Sequence, residues 1–249
     1  MSFIVKNISQ INLVQNSSII NIFAYKGNFI FDDNSLNAIS ILKSILDESA
    51  KKYTRMHFDN ISVRFDKSWT GEVGEKICEY LIKNIRNINI VNKKKQIING
   101  YDGGDINIII NNEESIINVS SRKLSSYDNV LNVVKKPDEY FVLIPVDQFI
   151  QYTQKANLAL FIFLKPTNQK TVLIGNKDIE FFTEADFIVP GFLTNNDLLA
   201  MKNSGYITVK KKNDIIKGLY NSLRYDVKMY TDNYVIFVNL LKRFSYIEK

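Results

Sequence analysis

The segment between Gly100 and Lys123 constrains the fold of this 249-residue chain more than any other part of it. Its sequence, GYDGGDINIIINNEESIINVSSRK, alternates apolar and polar residues in two runs, which are joined by a polar stretch at 111–115. Alternation with a period of two is typical of strands that cover a core with one face. The segment is therefore predicted to form an antiparallel hairpin in a central sheet, with a helix covering its apolar face.

The residues before this hairpin have the spacing of that covering helix. Thr70 can cap a helix, and the 70–84 segment that follows carries an apolar stripe of Val73, Ile77, Tyr80 and Leu81. A short apolar run at 88–91 predicts one further strand between the helix and the hairpin.

The N-terminal part has strand and helix signals of its own. Two strand-like runs, 18–25 and 27–31, flank a turn signal at Gly27, and apolar residues then recur at helical spacing as far as Tyr53. Residues 1–65 are interpreted as a β/α extension and residues 66–249 as an α/β core. With four prolines and ten glycines in the chain, no Pro/Gly-rich linker divides it into independent domains.

Further elements are expected in the C-terminal half. Runs at 157–164 and 171–175 predict strands, Thr194 begins a stretch of capping residues, and the 214–223 segment is amphipathic. The fold class predicted from the whole chain is α/β, with a mixed central sheet flanked by helices.

Composition is that of an ordinary globular protein, with 45% hydrophobic and 23% charged residues. The single cysteine, Cys78, excludes a disulfide framework and a multi-cysteine zinc cluster, and it fits a reducing cytoplasm. The N-terminus lacks the basic start and the unbroken apolar stretch of a signal peptide, and the longest apolar runs are too short to span a bilayer. A cytoplasmic protein without a membrane partner is expected.

The order of acidic residues along these elements resembles a known superfamily. The helix carries Glu72 and Glu75, one strand begins at Asp105, and the next strand contains Asn-Val-Ser at 118–120. This order is similar to that of the restriction-endonuclease-like, or PD-(D/E)xK, nucleases, which have an acid on the first helix, an Asp at the start of a strand and Glu-x-Lys on the next. The resemblance implies that Glu75 and Asp105 are metal ligands, with Asp102 as the alternative strand acid.

At the last motif the chain departs from the pattern of the superfamily. Asn118 stands at the position of the Glu and Ser120 at that of the Lys, so these catalytic positions carry no charge. In such a site clustered carboxylates hold Mg²⁺, and the lysine stabilises charge at the scissile phosphate. The expected Mg²⁺ site is therefore weakened. Two residues remain open as replacements. Arg122 shares the strand face of Ser120 and is the candidate for the missing cation. Glu72 lies one helical turn before Glu75 and is the alternative helix acid.

Each of these residues also has a structural interpretation. Glu72 and Glu75 near a helix N-terminus are favoured by the helix dipole without a metal. Asp102 and Asp105, which flank two glycines, suit a turn. Arg122 and Lys123 suit the solvated end of a strand.

Positive charge favours a polyanionic partner. The chain has 32 Lys and Arg against 26 Asp and Glu, a net charge of +6. The predicted phosphate-contacting residues are Lys93, Lys94, Lys95, Arg122 and Lys123. These features predict a DNA-directed protein of the superfamily, either a divergent Mg²⁺-dependent deoxyribonuclease or a descendant that binds DNA without cutting it. The alternative is a catalytically inactive scaffold subunit in a homodimer or larger complex.

Overall fold

A computed structural model describes residues 2–15, 18–51, 60–85, 88–91, 97–98, 101–102, 105–110, 112–125, 128–216, 227–229 and 231–241. The strands are β1 (Phe3–Gln15), β2 (Ser18–Phe31), β3 (Asn89–Val91), β4 (Ile97–Ile98), β5 (Tyr101–Asp102), β6 (Ile106–Ile110), β7 (Glu113–Lys123), β8 (Phe141–Pro145), β9 (Leu158–Ile174), β10 (Lys177–Thr194), β11 (Thr208–Lys210), β12 (Ile215–Ile216), β13 (Val227–Lys228) and β14 (Asn233–Phe237). The helices are α1 (Ala38–Lys51), α2 (Ile61–Asn84), α3 (Asn132–Lys135) and α4 (Asn195–Asn203). Short 3₁₀ turns lie at Val146–Gln148 and Val238–Leu240, and a π-helical turn lies at Gln151–Lys155.

Seven strands form the main sheet, in the order β1-β2-β10-β9-β7-β6-β3. Neighbouring strands are antiparallel except for β7 and β9, which are parallel. A smaller sheet has the order β11-β14-β8. The predicted mixed sheet with flanking helices is confirmed.

The central hairpin is also confirmed. Strands β6 and β7 pair in antiparallel register, with Ile106 opposite Ile117, and Asn112 in the turn has a positive φ of 66°. Asparagine is among the residues that best tolerate this left-handed conformation. The strand expected at 88–91 is β3, which pairs with β6.

Helix α2 covers the hairpin as expected, but it begins earlier than predicted. Its N-cap is Asn60, whose side chain accepts a hydrogen bond from the amide of Ser62 at 2.8 Å. The Thr70 cap is therefore wrong. Thr70 lies inside the helix, where its hydroxyl donates to the carbonyl of Asp66 at 2.7 Å.

The turn predicted at Gly27 is wrong as well, because β2 runs straight through this residue. Gly27 is required for packing: a Cβ there would lie 2.7 Å from the ring of Phe187 on β10. Strand β2 pairs with β1 on one side and with β10 on the other. The segment predicted as an extension thus contributes two strands to the main sheet, and its helix, expected as far as Tyr53, is α1.

The C-terminal predictions have mixed outcomes. The runs at 157–164 and 171–175 belong to one strand, β9, which tolerates Pro166 because its pairing with β7 ends at Leu164. Thr194 caps α4 in a reciprocal capping box with Asp197, as predicted. In the amphipathic 214–223 segment, 215–216 form β12, and residues 217–223 lie outside the described part.

The two faces of the sheet cover two cores. On β9, Leu158, Leu160 and Ile162 belong to the first core, which packs under α1 and α2. The alternate residues Ala159 and Phe161 belong to the second core, beneath the small sheet. Among the described residues, no helix is long and apolar enough to cross a membrane.

Two glycines of α2 provide a matched test of helix packing. A Cβ at Gly74 would lie 1.7 Å from Oγ of Ser121, whereas nothing lies within 4 Å of a Cβ at Gly71. We expect Gly74→Ala to lower the free energy of unfolding by about 1–3 kcal/mol through overpacking. Gly71→Ala should raise it by about 0.4–1 kcal/mol. Urea unfolding of both variants measures the difference, and equal effects would contradict the close approach of α2 to β7.

Candidate functional site

The site lies at a step in the main sheet, where β7 extends beyond the first residue of its neighbour β6. Strand β6 begins at Ile106, opposite Ile117, while β7 extends to Lys123. Asp105 lies at this step: its amide donates to the carbonyl of Ile117 at 3.0 Å, and its Oδ2 accepts from the amide of Val119 at 2.6 Å. The carboxylate therefore lies beside the open edge of β7. We call Asp105 together with residues 118–120 the edge site.

On one side of the edge site lies the helix acid. Cys78 of α2 is fully buried, and burial raises the pKa of its thiol well above the usual value. The carboxylates of Asp105, Glu79 and Glu75 raise this pKa further. The charges of Asp105 beside the sheet and of Glu79 and Glu75 on the helix thus act on the same buried thiol. That Glu75 and Asp105 reach a single metal ion stays a prediction.

On the other side lie the two uncharged residues of β7. Asn118 and Ser120 stand beside Ala159 and Phe161 of β9 and face the second core, away from α2. Asn118 is only 6% exposed. The edge site therefore has the helix acid on one face of the sheet and the amide and hydroxyl on the other, with Asp105 between them.

Tyr152 lies in the second core, which Asn118 and Ser120 face. It belongs to the π-helical turn and is 9% exposed. Burial raises the pKa of its phenol far above the usual value, and the charge of Asp105 raises it further, while a hydrogen bond with Ser120 lowers it.

Glu72, the alternative helix acid, is held by a neighbouring lysine. Lys76 lies 3.7 Å from Glu72 and 3.2 Å from Glu79. Burial lowers the pKa of Lys76, but the carboxylates of Glu79, Glu72 and Glu75 outweigh it and leave the pKa raised. This ammonium neutralises part of the acidic cluster on α2.

The basic residues at the end of β7 also have partners within the protein. The guanidinium of Arg122 donates to the carbonyl of Phe141 and lies 4.0 Å above the centre of its ring. Lys123 pairs with Asp66 of α2 at 2.6 Å. Burial lowers the pKa of the adjacent Lys67. The carboxylate of Asp66 raises this pKa, and the charge of Lys123 lowers it further. Arg122 and Lys123 therefore tie β7 to β8 and α2.

The remaining predictions concern four other site residues and the metal ion. Lys93, Lys94 and Lys95 lie outside the described residues, and so does the side chain of Asp102 on β5. Within the described parts of the chain, no group of three or more His, Cys, Asp or Glu side chains is arranged to hold a metal ion. Magnesium therefore stays a prediction of the resemblance.

Sequence reasoning missed Tyr152 and Asp66. Tyr152 is 32 positions from its partner Ser120 and lies in an irregular turn, so no local pattern connects them. Asp66 was outside the predicted 70–84 helix, although the Asn60 cap and the spacing from Phe65 to Trp69 could have extended that helix backwards.

Comparison with protein-family models, curated proteins and solved structures gave no match to this chain. The resemblance to the restriction-endonuclease-like nucleases therefore stays a prediction that rests on the order of the residues quoted above.

Proposed function

We propose that the protein is a DNA-directed member of the restriction-endonuclease-like superfamily that binds DNA without cutting it. The observation that carries this proposal is the edge site. Asp105 lies immediately before β6 and accepts a hydrogen bond from the amide of Val119, while Asn118 and Ser120 on β7 are uncharged. The order of these residues supports the resemblance, and the missing charges support the absence of hydrolysis.

Hydrolysis of a phosphodiester requires charge at the positions that are neutral here. Asn118 offers a divalent ion one negative charge fewer than a glutamate would. Ser120 cannot stabilise the developing negative charge as a lysine would, and the loss of one such donor costs roughly 10²–10³ in rate. Arg122 does not replace it in this structure, because its guanidinium lies over Phe141.

Positive charge supports DNA binding. The chain has 32 Lys and Arg against 26 Asp and Glu, a net charge of +6. Lys93, Lys94 and Lys95 form a run of three consecutive cations, and phosphate contacts are assigned to this run.

The test combines binding and cleavage on the full chain. We expect affinity for duplex DNA to fall steeply with salt, and no cleavage of supercoiled, linear or single-stranded DNA in Mg²⁺ or Mn²⁺. Replacing all three lysines at 93–95 with alanine should reduce the slope of log affinity against log salt by up to about 3. Replacing Lys210, Lys211 and Lys212 removes the same charge but should have less effect, because Lys211 pairs with Asp232 at 2.8 Å.

The outcomes of this test separate the possibilities. Metal-dependent cleavage by the unmodified chain would overturn the non-cutting proposal. Absence of DNA binding at low salt would overturn the DNA-directed function. Equal effects of the two triple replacements would contradict the assignment of phosphate contacts to 93–95.

The second candidate function is a scaffold subunit, and a specific observation favours it. Lys76 is paired with Glu72 and Glu79, Lys123 with Asp66, and Arg122 with Phe141, so charges near the edge site serve contacts within the protein. A chain that binds no DNA at low salt but forms a stable homodimer or larger complex would support this function.

A further inference from the structure

We propose that Tyr206, Lys210 and Lys212 form a surface that binds single-stranded DNA, with the tyrosine ring stacked on an unpaired base and the two lysines in contact with phosphates. We call these three residues the Tyr206 surface. This inference rests on the proposed DNA-directed function and deepens it, because it names a form of DNA and the place on the protein that binds it.

Tyr206 is held in an exposed position just before β11. Its side chain is 72% exposed, and among the described large apolar side chains that are exposed it is the only aromatic one. The next residue, Ile207, is 4% exposed, belongs to the second core and donates its amide to the carbonyl of Met201 at 3.3 Å. The backbone is therefore anchored while the ring stays accessible. An accessible aromatic ring can stack on any base whose face is free.

The first lysine of the Tyr206 surface follows on β11 itself. In this strand the exposed residues Thr208 and Lys210 flank Val209, which packs against the second core. Side chains alternate across a strand, so Thr208 and Lys210 project from the face opposite to this core. Within the described part of the chain, β11 is an edge strand of the small sheet and pairs with β14. The aromatic ring and the first cation therefore both lie at the border of the small sheet.

The turn after β11 fixes the backbone that carries the second lysine. Asp232 accepts hydrogen bonds from Nζ of Lys211 and from the amide of Lys212, each at 2.8 Å. The side chain of Asp214 accepts from the amide of Lys211 at 2.8 Å, and its own amide donates to the carbonyl of Lys211 at 3.0 Å. The turn is thus ordered before a ligand binds, which lowers the entropic cost of binding.

The same hydrogen bonds give the three lysines of the turn different roles. Lys211 is paired with Asp232, whereas Lys210 and Lys212 are exposed and form no ion pair with the described residues. The other acid of the turn, Asp214, accepts from a backbone amide. Two unpaired cations beside an exposed ring are complementary to a single strand, which presents both phosphates and the faces of its bases. A duplex hides these faces, so the ring favours the single strand.

Fluorescence anisotropy of a labelled oligothymidylate of about 16 nucleotides measures binding by the full chain. Tyr206→Ala is expected to weaken binding by roughly 5–150-fold, which is the range for the loss of one base–aromatic stack. Tyr206→Phe keeps the ring and should bind within about twofold of the unmodified chain. Replacing Lys210 and Lys212 together with alanine should reduce the slope of log affinity against log salt by about 1.4, because each phosphate contact to a single strand contributes about 0.7.

Matched controls remove similar groups elsewhere on the protein. Leu173→Ala removes another large side chain, which is 65% exposed on β9. Replacing Lys6 and Lys177 together with alanine removes two exposed lysines, one on β1 and one on β10. Both controls should bind the oligothymidylate like the unmodified chain, and circular dichroism checks that every variant is folded.

The outcomes separate this inference from the proposed function. Equal binding by Tyr206→Ala and the unmodified chain would overturn the inference, and so would an equal change of salt slope in the two double lysine variants. Binding of duplex DNA without binding of the oligothymidylate would overturn the inference and leave the proposed function intact. Absence of binding to both forms of DNA at low salt would overturn the two together.

Discussion

The variant with Asn118→Glu and Ser120→Lys restores the acidic and basic residues of the superfamily motif, and it is expected to remain unable to cleave DNA. Both positions face the second core, and Asn118 is only 6% exposed. The new side chains are longer and bring charge into a covered space. A buried charge without a satisfactory partner costs about 3–5 kcal/mol, so we expect the free energy of unfolding to fall by that amount.

Urea unfolding and plasmid nicking check both expectations. Cleavage by the double variant would contradict the expected inactivity. An unchanged free energy of unfolding would contradict the cost of placing charge on this face of β7.

Replacement of Trp69, the only tryptophan, is expected to have the largest effect on stability. Its ring is fully buried in the first core, and its Nε1 donates to the carbonyl of Phe182 at 3.0 Å. The surrounding aromatic rings have centroids 5.0–6.5 Å away and belong to Phe3, Phe29, Phe31, Phe65, Phe181 and Phe182. Trp69→Ala should lower the free energy of unfolding by about 3–5 kcal/mol.

The conservative variant separates packing from hydrogen bonding. Trp69→Phe keeps most of the apolar surface and loses the bond to Phe182, so its effect should be clearly smaller. Circular dichroism in urea gives both values without a tryptophan signal. If Trp69→Phe were as destabilising as Trp69→Ala, the hydrogen bond rather than the aromatic cluster would dominate at this position.

Sequence patterns predicted the parts of the fold that are encoded locally. The hairpin of β6 and β7 was predictable because its faces differ in polarity, and the start of α4 because Thr194 and Asp197 cap it reciprocally. The continuous β2 was not predictable, since Gly27 resembles a turn residue until the ring of Phe187 is placed beside it. A local sequence pattern is ambiguous wherever a side chain that is distant in sequence decides the local structure.

The candidate site likewise combines residues that the sequence identified with residues that it did not. The sequence identified Asp105, and its amide and carboxylate do lie at the strand step. Tyr152 could not be predicted, because it reaches Ser120 only through the chain that connects two parallel strands. Nor could the partners of Arg122 and Lys123, because Phe141 and Asp66 belong to other elements.

The pairing of β2 with β10 has a consequence for synthesis on the ribosome. Ile30 pairs with Glu184 and Tyr25 with Val189, so the second partner of β2 is made about 150 residues after β2 itself. At about 5–20 residues per second, the N-terminal hairpin waits roughly 8–30 s for that strand. During this interval Phe29 and Phe31, which are buried in the finished protein, lack their contacts with Phe182 and Phe181 of β10, and β2 has an unpaired edge. The nascent chain is therefore most prone to wrong strand pairing, and most in need of a chaperone, before β10 emerges.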